Sequence, residues 1–357
     1  MANFTERYFS IVKKFLPAKV VKPAVGLDIG VNSCRMVEVM NKPDGCELLR
    51  WAIEPIVNGD AGKAIRHVMA KASQPNLSPV TALTGKGTLI RFIEMPKMSL
   101  AELKRSFSFE VDKYFPFPKD QIFTDCHILD PMGKDNKLPV LVAAAKKELV
   151  TDRVKLLADA GLQADLITLN SVAIANVFDV LGSPKDAVGP SGDVAKSPRA
   201  VAILDIGEIV SNLLILVDDQ PKFNRDVFIG GRDFTKSISS VLRVSIGEAE
   251  KLKQQPEARA AEIAAAVDSA TLDLVSELRL SFDYFVTETN FSLAQLFLTG
   301  GGTVMQGLSA NFSKHLEMEV DPWDPMSLLK LGAGVSTEEF KAKSGYLGVA
   351  LGLALYS

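Results

Sequence analysis

Short apolar runs that end at a turn alternate along this chain with longer segments of helical periodicity. Residues 24–29 form an apolar run that ends at Gly30, and a second run follows at 34–40. Such runs are typical of buried strands bounded by turns. Residues 100–115 and 147–160 instead repeat apolar positions at the spacing of a helix face. Alternating strands and helices predict an α/β protein.

A compact unit at residues 88–165 combines both patterns. After a strand at 88–94 and a helix, two strands are predicted around 122–130 and 138–145, and a second helix closes the unit. These elements predict a compact α+β unit.

Three further segments have distinct patterns. Residues 4–16 carry apolar side chains at helical spacing, which indicates either an amphipathic helix for a membrane surface or partner, or an arm packed on its own domain. Residues 182–199 are rich in Gly, Pro, Ser and charge, which predicts a loop between lobes. The apolar run at 347–356 is shorter than the about 20 residues that a membrane span needs, so we interpret it as a buried helix.

One pattern occurs twice in the chain. In residues 24–30 and again in residues 201–207, an apolar strand delivers an Asp and then, two positions later, a Gly at a turn. The paired residues are Asp28 and Gly30 in the first turn, and Asp205 and Gly207 in the second. This repeat predicts a duplicated lobe with a cleft between the two copies.

Two facing Asp-Gly turns are suited to phosphate. A Gly lets backbone N–H groups approach an anion closely, and an Asp beside it can hold the waters of a phosphate-bound Mg²⁺. We therefore expect Asp28 and Asp205 to hold Mg²⁺ through water. Polar Asn32 and Ser33 in the first turn are further candidates for phosphate contacts.

A glycine cluster and a charged pair complete the candidate site. Gly300, Gly301 and Gly302 follow an apolar strand, and such a turn lets a base or a ribose lie against the backbone. Glu250 and Lys253 stand at i, i+3 on a predicted helix, where they could grip a ribose and an adenine edge. An ordinary solvated helix face is the alternative for this pair.

Composition narrows the functional classes. The chain has 357 residues, enough for two domains with cores, and its formal net charge of -3 disfavours nucleic acid as a partner. Three cysteines without CxxC spacing and three histidines argue against a structural zinc site or a disulfide framework. The N-terminus lacks the order of a signal peptide, so a cytoplasmic protein fits best.

Four stretches carry a family likeness beyond these motifs. With its two Asp-x-Gly turns and its GGG turn, the chain resembles the actin, Hsp70 and FtsA superfamily, and within it the PilM-type family of type IV pilus assembly proteins. The likeness runs from residue 24 onward, and the matching stretches are 89–118, 141–150, 225–238 and 297–312.

The resemblance implies an α/β, actin-like fold of two duplicated ribonuclease-H-like lobes, with the small α+β subdomain inserted as in FtsA. The domains expected from it are an N-terminal arm (1–22), a first lobe core (23–87 with 166–199 and 340–357), the inserted subdomain (88–165), a second lobe core (200–230 with 291–339) and a helical subdomain of the second lobe (231–290).

The resemblance also implies ATP or ADP with Mg²⁺ in the cleft. The residues expected to hold the nucleotide are Asp28, Gly30, Asn32, Ser33, Arg35, Asp205, Gly207, Glu250, Lys253, Gly300, Gly301 and Gly302.

Three departures from the family pattern bear on that expectation. Arg35 stands where the family commonly has Lys, and Arg can still serve a phosphate. Glu208 adds a negative charge to the second turn, which should weaken phosphate binding unless it points away or meets the metal. Asn170 stands where relatives tend to place a Glu. Because an amide cannot take a proton from water, hydrolysis should be slow or absent.

A partner is implied as well, the short N-terminal cytoplasmic tail of a PilN-like inner-membrane protein, with pilus assembly ATPases as further candidates. The tail would lie between the first lobe core and the inserted subdomain, against walls from residues 89–118. The aromatic side chains of that segment are candidates for the walls, although at least half should be core: Phe107, Phe109, Tyr114, Phe115 and Phe117. The chain would then lie at the inner face of the bacterial inner membrane, and contact it only through its partner.

Other functions stay open. A working ATPase or a small-molecule kinase of the same superfamily would need a general base in the cleft, and we interpret His67 and His127 as structural. A filament protein like FtsA is expected to carry a C-terminal amphipathic helix after a linker. A type II secretion component is expected to continue into a transmembrane helix. The sequence up to residue 357 predicts neither.

Overall fold

The computed structural model describes residues 22–42, 45–74, 77–181, 200–255, 259–305, 307–323 and 325–356. The predicted amphipathic segment at 4–16 and the predicted loop at 182–199 lie outside the described residues. In chain order the strands are β1 (Pro23–Ile29), β2 (Ser33–Lys42), β3 (Gly45–Pro55), β4 (Val80–Leu83), β5 (Thr88–Pro96), β6 (Ile122–Ile128), β7 (Lys137–Lys146), β8 (Leu166–Leu169), β9 (Ala200–Ile206), β10 (Ser211–Val217), β11 (Gln220–Val227), β12 (Leu293–Thr299), β13 (Glu319–Pro322) and β14 (Lys330–Leu331).

The α-helices are α1 (Ala61–Met69), α2 (Leu100–Tyr114), α3 (Lys147–Asp159), α4 (Asn170–Leu181), α5 (Gly231–Leu242), α6 (Ile246–Gln254), α7 (Ala260–Thr289), α8 (Leu308–Leu316), α9 (Thr337–Lys341) and α10 (Gly348–Ala354). No helix in this described part of the chain is both long enough and apolar enough to cross a bilayer.

Two sheets share one strand order. The first runs β14-β3-β2-β1-β4-β8 and the second runs β11-β10-β9-β12-β13. In each, the first strand of the lobe pairs antiparallel with the hairpin strand that follows it, and parallel with the strand on its other side. Except for the added edge strand β14, the two orders are the same. The predicted duplication of ribonuclease-H-like lobes, and with it the actin-like fold, is therefore confirmed.

The inserted unit has a sheet of its own. Its order is β5-β7-β6, with antiparallel pairing throughout, and α2 covers one face. Leu103, Phe107 and Val111 stand one helical turn apart on α2 and bury that face against the sheet. A capping box between Ser99 and Glu102 starts the helix. The likeness of the whole inserted unit to the corresponding subdomain of FtsA stays a prediction.

The aromatic residues of this unit divide as expected. Phe107 and Phe115 are core, whereas Tyr114 and Phe117 are partly buried at its edge. Phe109 is 83% exposed on the outer side of α2. Both His67 on α1 and His127 on β6 are exposed, so neither is a core histidine.

Both faces of each large sheet are covered, as parallel strands require. On the second sheet, alternate residues of β9 face α5 and α7 on the outside, and face the first lobe on the inside. The inner cluster holds residues of both lobes, among them Val37 and Leu48 of the first sheet and Leu214 and Phe297 of the second. The two lobes therefore share one core.

Helix α10 fills the centre of that shared core. All of its residues are buried, which confirms the buried helix predicted for the apolar run. Its backbone approaches two neighbours so closely that no side chain fits between them. A Cβ on Gly26 of β1 would lie 1.9 Å from the carbonyl oxygen of Ala350. A Cβ on Gly352 would lie 1.8 Å from the carbonyl oxygen of Ala173 on α4.

This packing yields a stability prediction. In Gly352→Ala the added methyl meets backbone atoms that cannot rotate away, so the free energy of unfolding should fall by about 2 kcal/mol or more. Urea unfolding measures the loss. Gly247→Ala is the matched control, because Gly247 is also helical but a Cβ there meets nothing within 4 Å. That variant should gain up to about 1 kcal/mol. Equal effects of the two substitutions would contradict the packing described here.

Candidate functional site

A cavity of about 590 Å³ lies between the two lobes. Every residue that the sequence assigned to the site lines it: Asp28, Gly30, Asn32, Ser33, Arg35, Asn170, Asp205, Gly207, Glu250, Lys253, Gly300, Gly301 and Gly302. The structure thus brings together residues that stand up to 274 positions apart, from both lobes and from the helices above the second lobe.

The first turn joins β1 to β2. Gly30 donates its N–H to the carbonyl of Ser33 at 3.0 Å, which closes the hairpin. In this antiparallel register Asp28 stands opposite Arg35, and Arg35 Nη1 lies 2.6 Å from Asp28 Oδ2. Both side chains are largely buried, so the first turn presents an ion pair to the cavity.

The second turn repeats this geometry without the arginine. Gly207 donates its N–H to Val210, and it accepts a hydrogen bond from Gly231 at the start of α5. Here Asp205 stands opposite Asn212, which carries no charge. The pKa of Asp205 is raised to about 7, first by burial and then by the nearby Asp28, while Arg35 opposes both. The two turns therefore differ in charge although their backbones match.

The glycine turn packs directly on the second Asp-Gly turn. Gly300 has a φ of +89°, and a Cβ there would lie 2.4 Å from Asp205 Oδ1. A Cβ on Gly302 would lie 2.3 Å from Cγ2 of Ile206. Both positions need glycine for this close approach. Gly301 instead faces the ring of Tyr346, which a Cβ would meet at a tight 3.1 Å.

Glu250 and Lys253 form one network rather than a solvated face. Lys253 is buried, and its Nζ donates to Gly231 O, Thr235 Oγ1 and Glu250 Oε2 at 2.7 to 3.2 Å. Burial alone would raise the pKa of Glu250, but hydrogen bonds from Lys253 and Thr235 hold it below its usual value. The carboxylate is half-exposed to the cavity, with its charge fixed in place.

Glu208 lies in the second turn, as the sequence indicates. Its Oε1 is 3.8 Å from Nε of Arg232, so the added charge has a neighbouring cation. The carboxylate still lines the cavity. Whether it weakens phosphate binding stays a prediction.

Sequence reasoning missed several residues of the cavity wall. Arg153 reaches it from α3, and Tyr346 reaches it from the turn before α10. The turn Gly85-Lys86-Gly87 also contributes, with φ of +86° at Gly85 and +99° at Gly87. Its GKG pattern between two predicted strands was a readable signal. The sequence around Arg153 gave no such signal, because this residue resembles any other polar residue of its helix.

A second cavity of about 260 Å³ adjoins the first one. It opens between β5 of the inserted unit and the ends of β4 and β8, and the far wall is formed by Asn224 to Asp226 of β11. Thr84, Gly85, Lys86 and Asn170 are shared by the two cavities.

Beside the second cavity lies a cluster of apolar side chains, which we call the apolar groove and define by Ile90, Phe92, Leu141, Ala143 and Leu149. These residues belong to the face of the inserted sheet that α2 does not cover, and to the start of α3. Ile90 is buried, and the others are only partly buried. Of the predicted 89–118 wall, β5 contributes to this groove, whereas the aromatic residues of α2 face the opposite side of the sheet.

Comparison with known proteins identifies the family. The family model of the type IV pilus assembly protein PilM matches residues 26–357. The chain belongs to the PilM family. A solved PilM–PilN type IV pilus biogenesis complex is similar to this PilM-family chain, with 27% sequence identity and a TM-score of 0.78, over 93% of this chain and 97% of that one. The ethanolamine utilization protein EutJ from Carboxydothermus hydrogenoformans is 14% identical with a TM-score of 0.49, over 99% and 98% of the two chains.

The charge difference between the turns predicts a pH dependence of stability. A carboxyl whose pKa rises on folding stabilises the protein below its unfolded pKa, and this stability is lost as pH rises towards the folded pKa. For Asp205 the loss falls between about pH 4 and pH 7. In metal-free, nucleotide-free buffer, Asp205→Asn should therefore raise the Tm at pH 8 by several degrees more than at pH 5. Calorimetry measures both values, and an equal shift at the two pH values would show that Asp205 titrates normally.

Proposed function

We propose that this chain binds ATP or ADP with Mg²⁺ in the interlobe cavity, and that it holds the N-terminal cytoplasmic tail of a PilN-like inner-membrane protein in the apolar groove. The observation that supports the nucleotide is the convergence of two Asp-Gly turns and a glycine turn on one cavity. Family membership and the similarity to a solved PilM–PilN complex support the peptide.

The cavity wall fits a nucleotide. Gly207 and Gly300 allow close backbone approach at the cavity wall, which leaves open space where phosphates and a base would lie. Arg35 Nε is buried and has no hydrogen-bond partner among the described residues. A buried donor without a partner costs about 1–3 kcal/mol, so a ligand oxygen nearby would be favoured. Glu250, held by Lys253, is the candidate for the ribose hydroxyls.

The carboxylates fit the waters of a magnesium ion. Asp28 and Asp205 come from opposite lobes and influence each other electrostatically, as the raised pKa of Asp205 shows. When bound, Mg²⁺ supplies positive charge to the phosphates. The residues themselves would accept hydrogen bonds from its waters, and Arg35 would be free to exchange Asp28 for phosphate oxygen.

Binding without rapid turnover is part of the proposal. Asn170 is the first residue of α4 and lines the cavity where a base was expected. Its amide can orient a water by a hydrogen bond but cannot accept the proton. The nucleotide would then act as a bound structural ligand that determines the conformation of the cleft.

The nucleotide proposal predicts the effect of filling the glycine turn. Gly301→Val places two methyl groups between the turn and the ring of Tyr346, so Mg-ATP affinity should fall by about tenfold or more. Isothermal titration calorimetry measures it. Gly247→Val, on α6 and away from the cavity, is the control and should bind as the wild type does. Wild-type affinity in Gly301→Val would show that nucleotide does not lie against this turn.

Turnover is checked on the same samples. Phosphate release from ATP by the wild type should equal the background of Gly301→Val, since Asn170 is no base. Robust release that Asp205→Asn abolishes would overturn this part of the proposal, and would make the chain an ATPase.

The groove has the properties that an extended apolar peptide needs. Phe92 and Leu141 stand directly opposite each other on β5 and β7, and present half-buried side chains on one face. The groove lies between the inserted unit and the first lobe. A short tail bound there would tether this chain to the inner face of the membrane that anchors its partner.

The peptide proposal predicts a contrast between two phenylalanines. Phe92→Asp places a charge in the groove and should weaken binding of a peptide copying the PilN-like tail by about a hundredfold or more. Phe109→Asp makes the same change on the exposed side of α2 and should leave binding unchanged. Fluorescence polarisation of the labelled peptide measures both, with circular dichroism and thermal melting to confirm folding.

A milder variant guards against misfolding. Phe92→Ala removes the ring without adding charge and should lower the affinity for the peptide by about tenfold. Equal binding by Phe92→Asp and Phe109→Asp would place the tail elsewhere on the protein.

A further inference from the structure

Arg153 connects the inserted unit to the interlobe cavity. It lies on α3, and its Nη1 donates to Thr81 Oγ1 at 2.9 Å and to the carbonyl of Ala82 at 2.7 Å. Thr81 pairs with Leu27 in the parallel register of β4 with β1, one residue before Asp28. The guanidinium is thus anchored beside the first Asp-Gly turn, on the wall of the cavity.

The charge of Arg153 is uncompensated by local ion pairs. Arg35 is paired with Asp28 at 2.6 Å, and Lys253 with Glu250 at 2.7 Å. Lys86 lies 5.4 Å from the ring centroid of Phe228. Within the described residues, no carboxylate lies within ion-pair distance of Arg153, and burial lowers its pKa although Asp28 opposes this. A partly buried cation without a counterion favours an anionic ligand.

The position of Arg153 along the cavity indicates which part of a nucleotide it would meet. Gly301, Tyr346 and the Glu250–Lys253 pair lie together on the side of the second lobe, where the base and ribose are expected. Arg153 is on the first lobe, beside Asp28 and the carboxyl end of β4. A ligand that extends from the base past the two turns would therefore reach Arg153 last.

The same face of α3 also forms part of the apolar groove. Leu149 and Val150 precede Arg153 by four and three positions, so the three side chains project from one side of the helix. Leu149 and Val150 pack in the cluster that holds Ile90 and Leu169, at the junction of the inserted sheet and the first lobe. Since side chains of α3 contact both the cavity wall and this junction, a displacement of α3 would be felt at both.

We propose that Arg153 binds the terminal phosphate of a nucleoside triphosphate and so links the cleft to the apolar groove through α3. This inference rests on the proposed function. With a nucleoside diphosphate in the cavity, Arg153 would keep only its hydrogen bonds to Thr81 and Ala82. A triphosphate would add a charge-assisted contact and bias the position of α3.

Calorimetry with two nucleotides tests the first part. In Arg153→Gln, Mg-AMPPNP should bind about tenfold or more weakly, whereas Mg-ADP should change by about threefold or less. Lys155→Gln, an exposed position of the same helix, loses the same charge and should bind both nucleotides as the wild type does. Arg153→Lys keeps the charge and should give an intermediate loss, which also serves if the glutamine variant folds poorly.

The outcomes separate this inference from the function on which it rests. If the wild type binds neither nucleotide, the proposed function fails, and the role of Arg153 fails with it. If the wild type binds both and Arg153→Gln loses both equally, or neither, only the role of Arg153 is overturned.

Hydrogen exchange tests the link to the groove. Amides of 88–96 and 147–152 should exchange more slowly with Mg-AMPPNP than with Mg-ADP in the wild type, and at equal rates in Arg153→Gln under saturating nucleotide. A nucleotide-dependent difference that persists in Arg153→Gln, or that is absent from the wild type, would show that α3 does not transmit the state of the cleft.

Discussion

Direct backbone contact at two glycines determines where the first-lobe side of the cleft lies. Gly26 lets α10 rest on β1, and Gly352 lets the same helix rest on α4. Asp28 follows Gly26 by two residues, and Asn170 begins α4. The helix that closes the shared core therefore positions the carboxylate of Asp28 and the amide of Asn170, both on the first lobe. Since backbone atoms cannot change rotamer, this spacing has little tolerance.

The electrostatics of the cleft follow from the duplicated turns and from the position opposite each Asp, where the side chains of the two lobes differ in charge. Both lobes deliver an Asp to the cavity, but only the first lobe places an arginine opposite it. The first carboxylate therefore stays paired, whereas burial moves the pKa of Asp205 towards neutrality. A duplicated backbone thus carries two different charge states.

Local patterns predicted most of the framework, and tertiary contacts explain the rest. The Asp-x-Gly spacing predicted both turns that meet at the cavity, because turn chemistry depends on adjacent residues. No pattern indicated β11, whose residues are nearly all half-buried without alternation, so its strand state comes from pairing with β10. Arg153 and Lys155 look alike in sequence, and only the position of α3 beside β4 separates them. Similarly, Phe107 and Phe109 differ only in which side of α2 they occupy.

The shared core also affects how this chain can fold during synthesis. Strand β1 is made early, yet the helix that covers its inner face, α10, is the last of the described elements to be made. Until residues 348–354 emerge, the first sheet lacks the central part of its apolar cover, although α4 can already pack there, and the second lobe lacks part of its inner contacts. Neither lobe can then complete its core as an independent unit, so a nascent chain would expose aggregation-prone surface until these residues have been synthesised.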